Sequence, residues 1–163
     1  MPSFKRLVRG FRAILGVARP DDAWAERWLP PEEYALYAEL DPRDREHSVL
    51  VAKALLSRYT EAPPEVVRAA LLHDVGKAVR PYRAAERILT ALLEPWLPRL
   101  PERPLLPGWR GAVQVRLHHE RYAAQRLTDP AVRALVLAMK EAEVVDPETG
   151  LWARRIAEVD DLF

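Results

Sequence analysis

In the stretch Ala69-Ala70-Leu71-Leu72-His73-Asp74-Val75-Gly76-Lys77, an apolar run ends on an adjacent His and Asp. Val66, Ala69, Ala70 and His73 fall on one face of a helix, because side chains three and four positions apart line up. His73 therefore points where the apolar residues point. Gly76 reads as the mark of the helix end. A His and an Asp side by side at the end of a buried helix are costly unless partners meet them.

Two other segments offer such partners. His47 shares a helical face with Leu50, Val51 and Ala54. Near the C-terminus, Trp152, Ile156, Val159 and Phe163 form an apolar stripe, and Asp160 lies on it. Asp161 instead sits with Arg154, Ala157 and Glu158 on a polar face. Three helices thus each send metal-capable residues inward. A lone inward His is more often a hydrogen-bonded core residue. Two His and two Asp, if they converge, need a shared charge partner. A His/Asp set without sulfur suits Mn²⁺, Fe²⁺, Ni²⁺, Mg²⁺ or Zn²⁺. Periodicity does not show that the three faces meet.

The rest of the chain sets the frame. Its 163 residues fit one domain. Charged residues make up 30% yet nearly cancel, to a net +1, so no nucleic-acid partner is expected. The exception is the basic, amphipathic segment 4–12, which reads as a membrane-surface or partner helix or as one packed on its own domain. With no Cys, disulfides and thiolate sites are excluded. No apolar run reaches the roughly 18–20 residues of a membrane span, and no cleavable leader is evident, so a cytoplasmic protein is expected.

Asp41-Pro42, Asp129-Pro130 and Asp146-Pro147 read as helix starts: Asp accepts from orphan amides and Pro has no amide to waste. Pro30-Pro31 and Pro63-Pro64 read likewise. The pattern predicts helices near 3–17, 21–28, 31–39, 42–59, 64–74, 81–94, 109–126, 130–144 and 147–162, with no strand-type alternation. Prolines from Pro95 to Pro107 forbid a helix and predict an irregular crossing near 95–108. The expected fold class is all-α: a single-domain helical bundle, with 1–40 as an N-terminal extension and 41–163 as the core. Trp24, Trp28, Tyr34 and Tyr37 read as core packing or as an interface, with core the expectation, and the oligomeric state is left open.

The order His47, His73-Asp74, Asp160 resembles the H…HD…D pattern of the HD superfamily of metal-dependent phosphohydrolases. The 69–77 string resembles that family's central motif, Asp44-Arg45-Glu46-His47-Ser48 the text around its first His, and Val159-Asp160-Asp161 the end of its last helix. The resemblance covers about residues 40–163, and small stand-alone bacterial HD-domain proteins are the nearest in kind. It implies a helical HD bundle and a divalent metal held by His47, His73, Asp74 and Asp160. It also implies hydrolysis of a small phosphate ester, often a nucleotide. Asp146 is a rival to Asp160, with Glu141 and Glu143 behind it. In this family-like role Asp74 is also catalytic, acting on the attacking water. Lys77, one turn on, is the candidate catalytic and substrate-binding cation, ahead of Arg43, Arg80, Arg83 and Arg121. His118-His119-Glu120 resembles a segment that some subfamilies use for a second metal or for substrate, and the pattern does not choose between His118 and His119.

The chain also departs from its relatives. Ala138-Met139-Lys140-Glu141 lacks the further His that small HD proteins often carry there, and no Gly-Tyr-Pro follows His118-His119-Glu120. A catalytically weak or inactive scaffold that binds metal or nucleotide as a regulator is therefore the alternative expectation.

Overall fold

The computed structural model describes residues 18–80, 83–93, 96, 99–140 and 146–163. Eight α-helices are present among them: α1 (Asp22–Glu26), α2 (Pro31–Ala38), α3 (Pro42–Arg58), α4 (Pro64–Leu72), α5 (Ala84–Leu92), α6 (Gly108–Arg126), α7 (Pro130–Ala138) and α8 (Pro147–Asp160). A 3₁₀ turn, Val75–Val79, follows α4. No strand occurs among the described residues, so the fold is all-α. None of these helices is long and apolar enough to cross a membrane. The helix expected at 3–17, with its basic segment, and the end of the one expected at 130–144 lie outside the described residues.

The helix starts follow from side-chain chemistry. Asp41 accepts from the Arg43 amide (3.0 Å), Asp129 from the Ala131 amide (2.8 Å) and Asp146 from the Thr149 amide (2.9 Å), each just before a proline at the first helical position. Asp146 is thereby committed to capping α8. Asp41 also takes a two-point contact from the Arg43 guanidinium (2.7 and 2.9 Å), and this holds its carboxyl down at about 2. The unfolded carboxyl titrates near about 4, so the stabilisation is full above that pH and fades as pH falls toward about 2. With the group partly exposed, the effect is held to about 1 kcal/mol. Urea unfolding of Asp41→Ala should show a loss of about that size at pH 7 and a clearly smaller one at pH 3. Equal losses would mean that the carboxylate charge plays no part.

α4 is the central helix. Val66, Val67, Ala69, Ala70, Leu71 and Leu72 are all buried, as expected of a helix that is apolar on every side but one. α3, α7, α8 and α2 surround it. Its exception, Arg68, bonds Glu33 on α2 (2.8 Å) and the α7 cap Asp129 (2.9 Å). Ala25, Leu29, Tyr37 and Leu40 join the same core as Val159, so the 18–40 region packs into the bundle. Tyr37 is fully buried, while Trp24, Trp28 and Tyr34 are partly buried against that core.

Two sequence readings are corrected here. Leu50 is exposed (41%) rather than inward; the buried face of α3 runs through Asp44, Ser48, Val51, Ala52 and Leu55. Gly76 is not a left-handed helix cap. α4 ends at Leu72, and Gly76 lies inside the 3₁₀ turn with no positive φ.

That turn packs along α6. Arg126 of α6 donates to the Val75 carbonyl (3.2 Å) and pairs with Glu39, fastening the two together. The crossing, irregular from 99 to 107, is also held on α6. Buried Gln114 accepts from the Leu106 amide (2.7 Å) and donates to the Pro101 and Pro104 carbonyls (2.8 and 2.9 Å). Tyr122 donates to the Glu102 carbonyl (2.7 Å). Prolines bring no amide, so their carbonyls depend on such donors. Gln114→Ala should cost about 3 kcal/mol, because one truncation strands three backbone groups. Thermal melting checks this, and a change near zero would show that the crossing does not depend on Gln114.

Candidate metal centre

His73 is the C-terminal cap residue of α4, and Asp74 leads into the 3₁₀ turn. Both are buried, at 2% and 1% exposure. The His73 Nδ1 lies 2.9 Å from the Ala70 carbonyl. A carbonyl only accepts, so Nδ1 carries the hydrogen and the neutral ring turns its Nε2 lone pair the other way. Ligating histidines are oriented by such a contact.

α3 brings His47 and the last turn of α8 brings Asp160. The His47 and His73 rings meet edge to face, with centroids 5.6 Å apart. Asp160 Oδ1 lies 2.7 Å from His47 Nε2 and 3.6 Å from His73 Nε2. Asp74 Oδ1 lies 3.6 Å from His73 Nε2, and Asp74 Oδ2 lies 4.0 Å from His47 Nε2. One ligand atom each from His47, His73 and Asp74 falls within 4.8 Å of the others. Asp161 is exposed.

These contacts are not ordinary pairing. His73 Nε2, Asp74 Oδ1 and Asp160 Oδ1 are buried atoms without a hydrogen-bond partner. Even the 2.7 Å approach of His47 to Asp160 lacks hydrogen-bond alignment. Buried polar atoms left in this state are rare and costly. Donor atoms that crowd together without bonding one another fit a common cation, and two imidazoles with two carboxylates are a donor set that divalent ions accept.

The electrostatics agree. Burial works against charge on His73, yet Asp74 and Asp160 hold its ring up at about 9, so with no cation between the carboxylates the ring carries a proton on Nε2, and a metal must displace that proton for the neutral ring to ligate. Burial also works against the Asp74 carboxylate, but Lys77, His73, His119 and His47 keep it well below the usual range. Asp160 is held low against burial in the same way by His47 and His73. The two carboxylates thus stay anionic and draw positive charge to the spot between them.

Around the cluster, the structure separates His118 from His119. His119 Nε2 lies 3.4 Å from Asp74 Oδ1, and burial pushes its ring down to about 4, so it is neutral. His118 Nε2 bonds the Leu100 carbonyl (2.7 Å) and serves the crossing; the expectation that it touches substrate has no support in this placement. Lys77 Nζ bonds Asp74 Oδ2 at 2.6 Å, which fixes the carboxylate.

Sequence reading missed Asp44 and Arg87. Asp44 is buried, pairs with Arg87 through Oδ1 and leaves Oδ2 without a hydrogen bond. The available signal was a polar pair, Asp44 and Ser48, on the same helical face as Val51 and Leu55.

Compared with known proteins, the chain matches no family model, no curated protein and no solved structure.

Proposed function

We propose that this chain is an HD-type, metal-dependent phosphohydrolase acting on a nucleotide or another small phosphate ester. The observation that carries this reading is the convergence of His47, His73, Asp74 and Asp160 with three buried donor atoms left unbonded. His47, His73, Asp74 and Asp160 would hold the ion, whether Mn²⁺, Fe²⁺, Ni²⁺, Mg²⁺ or Zn²⁺. When bound, a divalent ion supplies Lewis acidity toward a water and a phosphoryl oxygen.

The chain's own residues do the rest. The Ala70 carbonyl fixes the His73 tautomer. Lys77 holds Asp74 Oδ2, which leaves Oδ1 to face the cluster and to orient or accept a proton from the attacking water. Lys77 also lines a neighbouring cleft, where its charge offsets phosphate. Neutral His119, beside Asp74 Oδ1, is the next group able to accept or donate a proton.

The second reading, a metal- or nucleotide-binding regulator without turnover, draws on one observation: Lys77 spends its ammonium on Asp74. Elemental mass spectrometry of the purified chain, followed by a phosphate-release screen over nucleotides with Mn²⁺, separates the two. Metal with release from any nucleotide supports the hydrolase, and metal without release supports the regulator.

A further inference from the structure

A surface helix normally turns its apolar stripe to the core. α5 does the reverse. Its inner side is polar: Glu86 is held by Arg80 (2.9 Å), Arg87 pairs with Asp44 on α3, and the hydroxyl of buried Thr90 donates to the Glu86 carbonyl (2.8 Å). Its outer side is apolar. Ile88, Leu89, Leu92 and Leu93 are all exposed, and their spacing puts them on one face. The Trp96 amide donates to the Leu93 carbonyl (2.8 Å), which carries the stripe one turn further, and Trp96 is 76% exposed. Exposed apolar residues are ordinary when scattered singly, whereas a contiguous stripe marks an interaction surface.

Basic residues rim this stripe at both ends. Arg83 stands at its start, and Arg99 follows three residues after Trp96. Arg80 ties Glu86 to the Gly108 carbonyl (3.1 Å), so exposed Trp109 and Arg110 lie at the same end as Arg83. Arg83, Arg99 and Arg110 are exposed and form no salt bridge among the described residues. The described carboxylates nearby are taken: Glu86 by Arg80, and Glu102 by Gln125 and Arg121. Glu94 lies outside the described residues. Counted in, it leaves the rim net positive, three Arg against one Glu.

We propose that α5 and its rim seat the protein on an anionic lipid surface. Ile88, Leu89, Leu92, Leu93 and Trp96 enter the boundary between headgroups and acyl chains, and Arg83, Arg99 and Arg110 meet lipid phosphates. Charge selects this occupant. A second copy would set basic rims against each other in either orientation, because both ends of the stripe are basic. The chain's own segment 4–12 carries Lys5, Arg6, Arg9 and Arg12 and is repelled in the same way. An anionic bilayer matches both the charge and the apolar stripe, and its interface is where Trp side chains settle. Segment 4–12, basic and amphipathic by its sequence, is a second attachment of the same kind, and two weak attachments hold where one does not. Both start from the first two turns of α3: the Arg19 amide donates to Glu46 (3.2 Å), and Arg87 of α5 pairs with Asp44. The inference stands apart from the phosphohydrolase reading.

The test is flotation of the full chain with two kinds of vesicle, pure phosphatidylcholine and phosphatidylcholine with about one third phosphatidylglycerol. Wild type should bind the anionic vesicles at least about tenfold more tightly than the neutral ones, and less tightly as salt is added. Leu92→Glu and Trp96→Ala should each cost at least about tenfold, since each withdraws a large apolar side chain from the lipid. Arg99→Gln should cost about fivefold. Leu151→Glu, at an exposed leucine on α8, is the control and should bind as wild type does. All four side chains are exposed, so the variants should keep the wild-type circular dichroism. Equal binding to the two vesicles, or anionic binding unchanged in both Leu92→Glu and Trp96→Ala, overturns the proposal. No binding to either vesicle overturns it as well and gives the stripe to a protein partner. So does a wild-type dimer in sedimentation that Leu92→Glu splits into monomers, which gives the stripe to a second copy.

Discussion

Asp74→Ala should strip the purified protein of metal and lower phosphate release by at least about a thousandfold, because the proposed function makes Asp74 both a ligand and the group facing the attacking water. Its position explains the size of the effect. Asp74 engages the site with both oxygens: Oδ1 lies near His73 and His119, Oδ2 near His47 and Lys77. Its removal leaves the Lys77 ammonium without its carboxylate, which in a buried setting costs about 3–5 kcal/mol. Loss of metal could then be blamed on a damaged fold. Asp74→Asn settles that point, since it keeps the shape and removes the charge: it should remain folded by circular dichroism and still lose metal. Asp161→Ala is the control and should change neither metal nor release. Metal content unchanged in both Asp74 variants would reduce the four residues to a structural polar cluster. Metal lost from Asp161→Ala but retained in Asp160→Ala would mean that the C-terminal ligand is Asp161.

Much of the fold is local chemistry, and so it is legible in one dimension. Asp41-Pro42, Asp129-Pro130 and Asp146-Pro147 announce helices because cap and first residue are neighbours in sequence. The 64–72 helix is legible because its apolar residues repeat at helical spacing. What stayed hidden depends on residues far apart in the chain. Periodicity offered Leu50 as an inward partner of His47, yet the real burial of α3 is centred on Ser48 and Val51, about a quarter-turn away. No pattern could separate His118 from His119, since the choice was made by where the crossing lies: the Leu100 carbonyl claims His118. The pairing of Asp44 with Arg87 was hidden for the same reason, as the two lie 43 positions apart in the chain.

Gly76→Ala, finally, should be among the most destabilising single substitutions in this chain, although it adds one methyl group. A Cβ built on Gly76 would lie 1.8 Å from the His119 carbonyl oxygen, 2.6 Å from the Ala123 nitrogen and 2.8 Å from the His119 carbonyl carbon. All three are backbone atoms within the 19-residue helix α6, so no side chain can swing aside. The turn and α6 must separate, at a cost of about 3 kcal/mol or more, equivalent to a fall in Tm of roughly 6–12 °C for a chain of this size. Gly108→Ala is the informative comparison. Gly108 has φ +58 with nothing near its would-be Cβ, so its penalty is backbone strain alone, about 1–2 kcal/mol. If conformational freedom were what the chain needs from its glycines, Gly108→Ala would be the worse variant. If close approach matters more, Gly76→Ala will be. The same separation would carry Asp74 away from His119, now 3.4 Å apart, so Gly76→Ala should also bind Mn²⁺ more weakly at temperatures where it is still folded. A variant that melts within a degree or two of wild type would show that the turn does not press on α6 as described, and that His119 is not positioned by that contact.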